Sequence, residues 1–160
     1  MTEEEMRQHR CCFTGHRPEK LAWSEEHAIA ALDEKIRQAI ADGYTTFISG
    51  MARGVDIWAA EIVLRLRDDG LPLRLICAVP LPDFEKRWPF AWQKRYHAVL
   101  EKADLVKTLF HAYSPSVFQQ RNEWMVDHSA RVIAMYTGEP GGTKNTIDYA
   151  LREGVEVVFA

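Results

Sequence analysis

Apolar positions along the chain alternate between short continuous runs and longer stretches in which they recur every third or fourth residue, the signatures of buried strands and amphipathic helices. Residues 10–14 predict a first strand. Residues 24–42 predict a helix with Ser24 as N-cap, Gly43 just past its end, and Ala28, Leu32, Ile36 and Ile40 as its apolar stripe. Strands are predicted at 45–49, 71–79, 104–109, 131–136 and 155–159, and helices at about 55–67, 90–102, 117–128 and 143–152. Strand follows helix throughout, which predicts an α/β, Rossmann-like, doubly wound and mostly parallel sheet with helices on both faces. In such sheets ligands sit outside the carboxyl ends of the strands, so the loops after the strands are where chemistry is sought.

Length and composition narrow this picture. At 160 residues the chain is the size of one domain, read as a flexible N-terminal arm over 1–9 and one domain over 10–160. The N-terminus lacks the apolar stretch of a secretory signal, and no run approaches the ~18 apolar residues of a membrane span. Cys11, Cys12 and Cys77 form an odd set without zinc-site spacing and fall in apolar runs, so they are read as core thiols in a reducing, cytoplasmic setting. A net charge of -3 disfavours extensive nucleic-acid binding, and the sequence leaves a homo-oligomer open. The six histidines are scattered, so no tightly bound metal is expected, and magnesium would arrive only with a phosphate ligand.

Five segments could carry chemistry. After the first strand, Thr14-Gly15-His16-Arg17-Pro18 sets a hydroxyl, an imidazole and a guanidinium at a strand end; Arg17 suits a phosphate, or is simply solvated. After the second, Ser49-Gly50-Met51-Ala52-Arg53-Gly54-Val55-Asp56 runs directly into a helix whose first turn offers free N–H groups to an anion. Asp56 is either a ligand group or a carboxylate complementing the helix dipole. In the predicted helix at 117–128, Phe118, Arg121, Asn122 and Met125 share one face, and the two polar groups among them either tie loops together or reach a ligand. After the fifth strand, Gly141-Gly142-Thr143 again opens a helix, and two such junctions in one sheet point to a phosphate-bearing ligand. The aromatic segment Phe84, Trp88, Phe90, Trp92 and Tyr96, interleaved with Lys86, Arg87, Lys94 and Arg95, either stacks a base or packs a helix on the sheet edge. Trp58 reads as core.

Thr14-Gly-His-Arg-Pro, the stretch from Gly50 through Asp56 to Glu61, Arg121-Asn122 with Met125 and Asp127, and Gly141-Gly-Thr with Thr146 together resemble the YpsA-like family, covering nearly the whole chain in order. That family is similar to the SLOG superfamily, which includes Smf/DprA and the LOG phosphoribohydrolases. The resemblance implies a Rossmann-like fold and a nucleotide-derived, ADP-ribose-like small-molecule ligand. The LOG pattern Pro-Gly-Gly-x-Gly-Thr-x-x-Glu is only partly kept: Pro140-Gly141-Gly142 leads to Thr143, Lys144 and Asn145, and the glutamate position holds Asp148. Three functions are carried forward: binding or sensing of such a ligand; nucleotide hydrolysis with Asp56, Glu61 or Asp127 as the carboxylate; and single-stranded nucleic acid binding through residues 84–96. Ligand contacts are expected from Thr14, Gly15, His16, Arg17, Gly50, Ala52, Arg53, Gly54, Asp56, Arg121, Asn122, Gly141, Gly142 and Thr143.

Overall fold

Burial separates the chain into the expected alternation of elements. The computed structural model describes residues 1–160. After α1 (Glu3–Arg7) come β1 (Arg10–Gly15), α2 (Glu25–Ala41), β2 (Thr46–Ser49), α3 (Val55–Asp68), β3 (Arg74–Val79), α4 (Phe90–Lys102), β4 (Leu105–Thr108), α5 (Val117–Asp127), β5 (Arg131–Met135), α6 (Gly142–Arg152) and β6 (Glu156–Phe159). The six strands form one sheet in the order β4-β3-β2-β1-β5-β6, and every pairing is parallel. The chain winds outward from β1 to β4, crosses back through α5, and winds outward again from β5. The two halves diverge between β1 and β5, where Gly15 lies opposite Met135, and a crevice opens there at the carboxyl ends of the strands.

One face of the sheet buries Phe13, Phe47, Leu75 and Val79 against α2, α3 and α4; the other buries Cys12, Ile48 and Val132 against α5 and α6. The adjacent thiols divide accordingly: Cys11 joins the first core and Cys12 the second, as alternation along a strand requires, and all three cysteines are free and buried. The apolar stripe of α2 forms part of the larger core, and Ser24 caps the helix by accepting the His27 N–H at 3.1 Å. Helix α3 is the most deeply set, with apolar residues buried on nearly every side, because it lies centrally on the larger core. No helix is long and apolar enough to cross a membrane.

Two boundaries differ from expectation. The third strand starts at Arg74 rather than residue 71, because Leu71 N–H closes the end of α3 on Leu66 O and Pro72 has no N–H for the ladder. The segment expected to be a flexible arm carries helix α1, capped by Thr2 and tied to the body by Arg7, which donates to Ser129 O at 2.9 Å.

The join of β1 to α3 is close-packed. A Cβ at Gly15 would lie 2.3 Å from Val55 Cγ2, and one at Gly54, where φ is 92°, would meet Pro18 Cδ at 2.9 Å. Gly15→Ala therefore overpacks the junction and is expected to cost about 1–3 kcal/mol in urea unfolding; an unchanged midpoint would contradict this packing.

Candidate functional site

A cleft of about 430 Å³ opens at the divergence of the two halves of the sheet. It is bounded by all five of the segments singled out from the sequence. The β1 loop brings Thr14, Gly15, His16 and Arg17, and the turn at Pro18–Lys20 adds Lys20; the β2–α3 junction brings Ala52, Arg53 and Asp56. Helix α5 contributes Phe118, Arg121 and Asn122, and the start of α6 contributes Gly142 and Thr143. Phe84 and Trp88, from the loop after β3, complete the wall.

The floor is a buried charged pair. Arg121, 4% exposed, donates from Nη1 to Gly50 O and from Nε to Asn122 Oδ1 at 2.8 Å. Asp56, 8% exposed, accepts the Ala52 N–H at 3.2 Å on its side chain, and its backbone carbonyl accepts from the Ser49 hydroxyl at 2.8 Å. Both side chains press against Gly50: a Cβ there would lie 2.9 Å from Asp56 Oδ2 and 3.0 Å from Arg121 Cζ. The next residue, Met51, adopts φ 63°, an uncommon conformation for a non-glycine, held by burial and by its N–H donating to Ser49 Oγ at 3.2 Å. Burial pushes the Asp56 carboxyl up to about 6, against the opposing charge of Arg121 and the Ala52 N–H. Burial lowers the Arg121 pKa, again opposed by its partner. His16 is buried, stacks on Tyr136 at 5.7 Å and meets Thr137 Oγ1 at 3.1 Å through Nε2; burial lowers its pKa. This contact ties the loops after β1 and β5 across the crevice.

A model of the YpsA family, described as the YspA SLOG family, matches residues 11–156. The chain belongs to that family. Relatives of this YpsA-family protein include the UPF0398 protein of Bacillus pumilus, 29% identical over 138 residues that make up 81% of this chain and 74% of the relative. The prophage-derived YoqJ of Bacillus subtilis is 28% identical over 79% of each chain. The UPF0398 protein of Halalkalibacterium halodurans is 29% identical over 71% of this chain, which spans 61% of that relative. Among solved structures, DNA processing protein A from Helicobacter pylori, described for its single-stranded DNA binding mode, superposes with a TM-score of 0.66 at 20% identity. That superposition covers 98% of this chain and 66% of the other, and shows a shared fold.

Within this YpsA-family fold the remaining expected residues divide between the backbone of the cleft and contacts elsewhere. Gly50, Gly54 and Gly141 shape its backbone: Gly50 supplies the carbonyl for Arg121, while Gly54 and Gly141 precede α3 and α6 with φ 92° and 141°. Glu61 instead binds Arg95 through two bonds of 2.6 and 3.0 Å, in a network where Arg95 also reaches Glu25, which accepts from Trp58 Nε1. Asp127 accepts from the Tyr149 hydroxyl at 2.6 Å, joining α5 to α6, and Asp148 pairs with Lys144 on an exposed turn. Sequence reasoning missed Lys20 and Phe13 as lining residues; the only available signal for Lys20 was its place three residues after Arg17. No three His, Cys, Asp or Glu side chains converge to hold a metal ion.

The raised Asp56 pKa makes a stability prediction. Its folded value near 6 lies above an unfolded value of about 4, so the native state takes up a proton first. Its contribution is most favourable below about pH 4 and is lost as the pH rises through 6. Asp56→Asn keeps the acceptor for Ala52 N–H and removes this titration. The stability difference between variant and wild type, from denaturant unfolding at pH 4, 5, 6 and 7, should shift toward the variant with rising pH, by at most about 1.4 kcal/mol per unit. A pH-independent difference would contradict the buried, protonated carboxyl.

Proposed function

We propose that the cleft binds a phosphate-bearing nucleotide or nucleotide-derived ligand, ADP-ribose-like in kind. The observation that carries this reading is charge: Arg17, Lys20, Arg53 and Arg121 line the cleft against one carboxylate, Asp56, which is itself half protonated near pH 6. Arginine forks suit phosphate oxygens bidentately. Beside them, α6 begins at Gly141 without any side-chain cap, so its first-turn N–H groups are available to an oxyanion next to Gly142 and Thr143. Glu19 holds Arg53 at 3.0 Å and stands 4.0 Å from Arg17, a contact that an incoming phosphate would replace.

Two further readings have specific support. Asp56 is a buried carboxyl poised near neutral pH in a ligand-sized cleft, the property of a general acid or base, and favours nucleotide hydrolysis. The fold shared with the Helicobacter pylori protein, together with Phe90 and Tyr113 exposed by 79% and 70%, favours single-stranded nucleic acid binding. A net charge of -3 weighs against an extended strand.

Thermal shift with ADP-ribose, NAD, ADP and AMP, coupled to mass spectrometry of the mixture, tests these together. A ligand at a hundred times its Kd stabilises the native state by about 2.7 kcal/mol, a rise of several degrees. Arg53→Ala should reduce that rise. An intact ligand supports binding; release of base or phosphate that Asp56→Asn abolishes supports hydrolysis. A protein stabilised by none of the four compounds, yet binding oligonucleotides with steep salt dependence, would overturn the small-ligand reading.

A further inference from the structure

The cleft is polarised. Arg17, Lys20 and Arg53 stand on the β1 and β2 loops and Arg121 lies in the floor, while Phe84 and Trp88, from the loop after β3, join Phe118, from the first turn of α5, as an apolar wall. Phe84 and Phe118 have ring centroids 6.4 Å apart with planes inclined by 49°, and Phe84 meets Trp88 edge to face at 5.1 Å. The wall is rigid from behind, because Trp88 and Phe84 both rest on buried Tyr96 at 5.5 Å. Phe118 is 40% exposed, although its helix buries Val117 and Met125 beside it. An aromatic face left open at a cleft forfeits burial that a flat partner would restore. Between the two walls, Asp56 commits one oxygen to Ala52 N–H and has no second hydrogen-bond partner in the chain.

We propose that this aromatic wall is a base subsite: the ligand lies with its base against Phe118, Phe84 and Trp88 and its phosphates toward Arg17, Lys20 and Arg53. The inference rests on the phosphate reading above and adds which end of the ligand goes where. Stacking is the interaction that distinguishes a nucleotide from a sugar phosphate or a bare polyphosphate, because only the base offers a π-face. The sugar then spans the floor, where the unpartnered Asp56 oxygen can accept from a hydroxyl. A volume of about 430 Å³ lies within the range of pockets for one small ligand, and so favours a single nucleotide over a strand.

Isothermal titration with ADP, GDP, CDP and UDP as base-bearing probes, and pyrophosphate as the base-free probe, tests this. At least one nucleoside diphosphate should bind ten or more times tighter than pyrophosphate. Phe118→Ala should weaken that nucleotide roughly tenfold and leave pyrophosphate unchanged. Phe118→Tyr should restore binding, whereas Phe118→Leu, which keeps apolar bulk without a ring face, should not; melting temperatures check that each variant folds. Nucleotides binding no tighter than pyrophosphate, or Phe118→Ala affecting both probes equally or neither, would overturn the base subsite while leaving the phosphate reading intact. If neither kind of probe binds, both fall.

Discussion

A guanidinium buried at the carboxyl edge of the sheet is the contact on which the site depends. Arg121 starts on α5, on the face carrying the smaller core, and ends on the carbonyl of Gly50 at the tip of β2. Burying a charge is costly unless it is paired and its donors are used, and here the compensation comes from Gly50 O, Asn122 Oδ1 and the nearby Asp56. The surrounding backbone is closely constrained: residue 50 has no room for a side chain, residue 51 adopts φ 63°, and Ala52 N–H points at a carboxylate. A backbone held this way is already in place before any ligand arrives, which reduces the ordering cost of binding.

The parallel order of the strands makes the rest of the cleft follow. Because β5 returns to lie beside β1, the loops after them face each other across a gap, bridged by His16 and Thr137. The first half of the fold supplies the cations and the close Gly15–Val55 junction; the returning helix α5 supplies Arg121 and Phe118. The assembled cleft therefore has a basic side, an aromatic side and a buried acid–base pair beneath them. That division is what a ligand carrying both an anion and a flat ring would require.

Much of this arrangement was legible in the residues. Gly43 closes the second helix where expected, and alternation of strands and helices leads to the parallel sheet. The shared face of Phe118, Arg121 and Asn122 reaches the cleft while Met125 enters the core, as spacing on one helix allows. What periodicity could not do was rank the carboxylates. Asp56 and Glu61 lie on the same helix, yet Asp56 faces the floor and Glu61 faces Arg95 of α4, a distinction set by helix packing rather than by sequence. The aromatic segment divides between two places, with Tyr96 in the core and Phe84 and Trp88 at the cleft. Helix α1 escaped because four charged residues and the single apolar Met6 carry no apolar period, and its order comes from tertiary contacts to Ser129 O and Arg10.

We propose one cleft, floored by Arg121 and Asp56, as the place where a ligand is held. An NMR titration with ADP-ribose, observing backbone amides and arginine Nε–H groups, tests it directly. The account predicts shifts concentrated at Gly50 to Asp56, at Arg121 Nε–H and at Gly142 and Thr143, with the opposite end of the sheet around Thr46 and Arg74 unmoved. Shifts confined to that opposite end, or none at millimolar ligand, would contradict it.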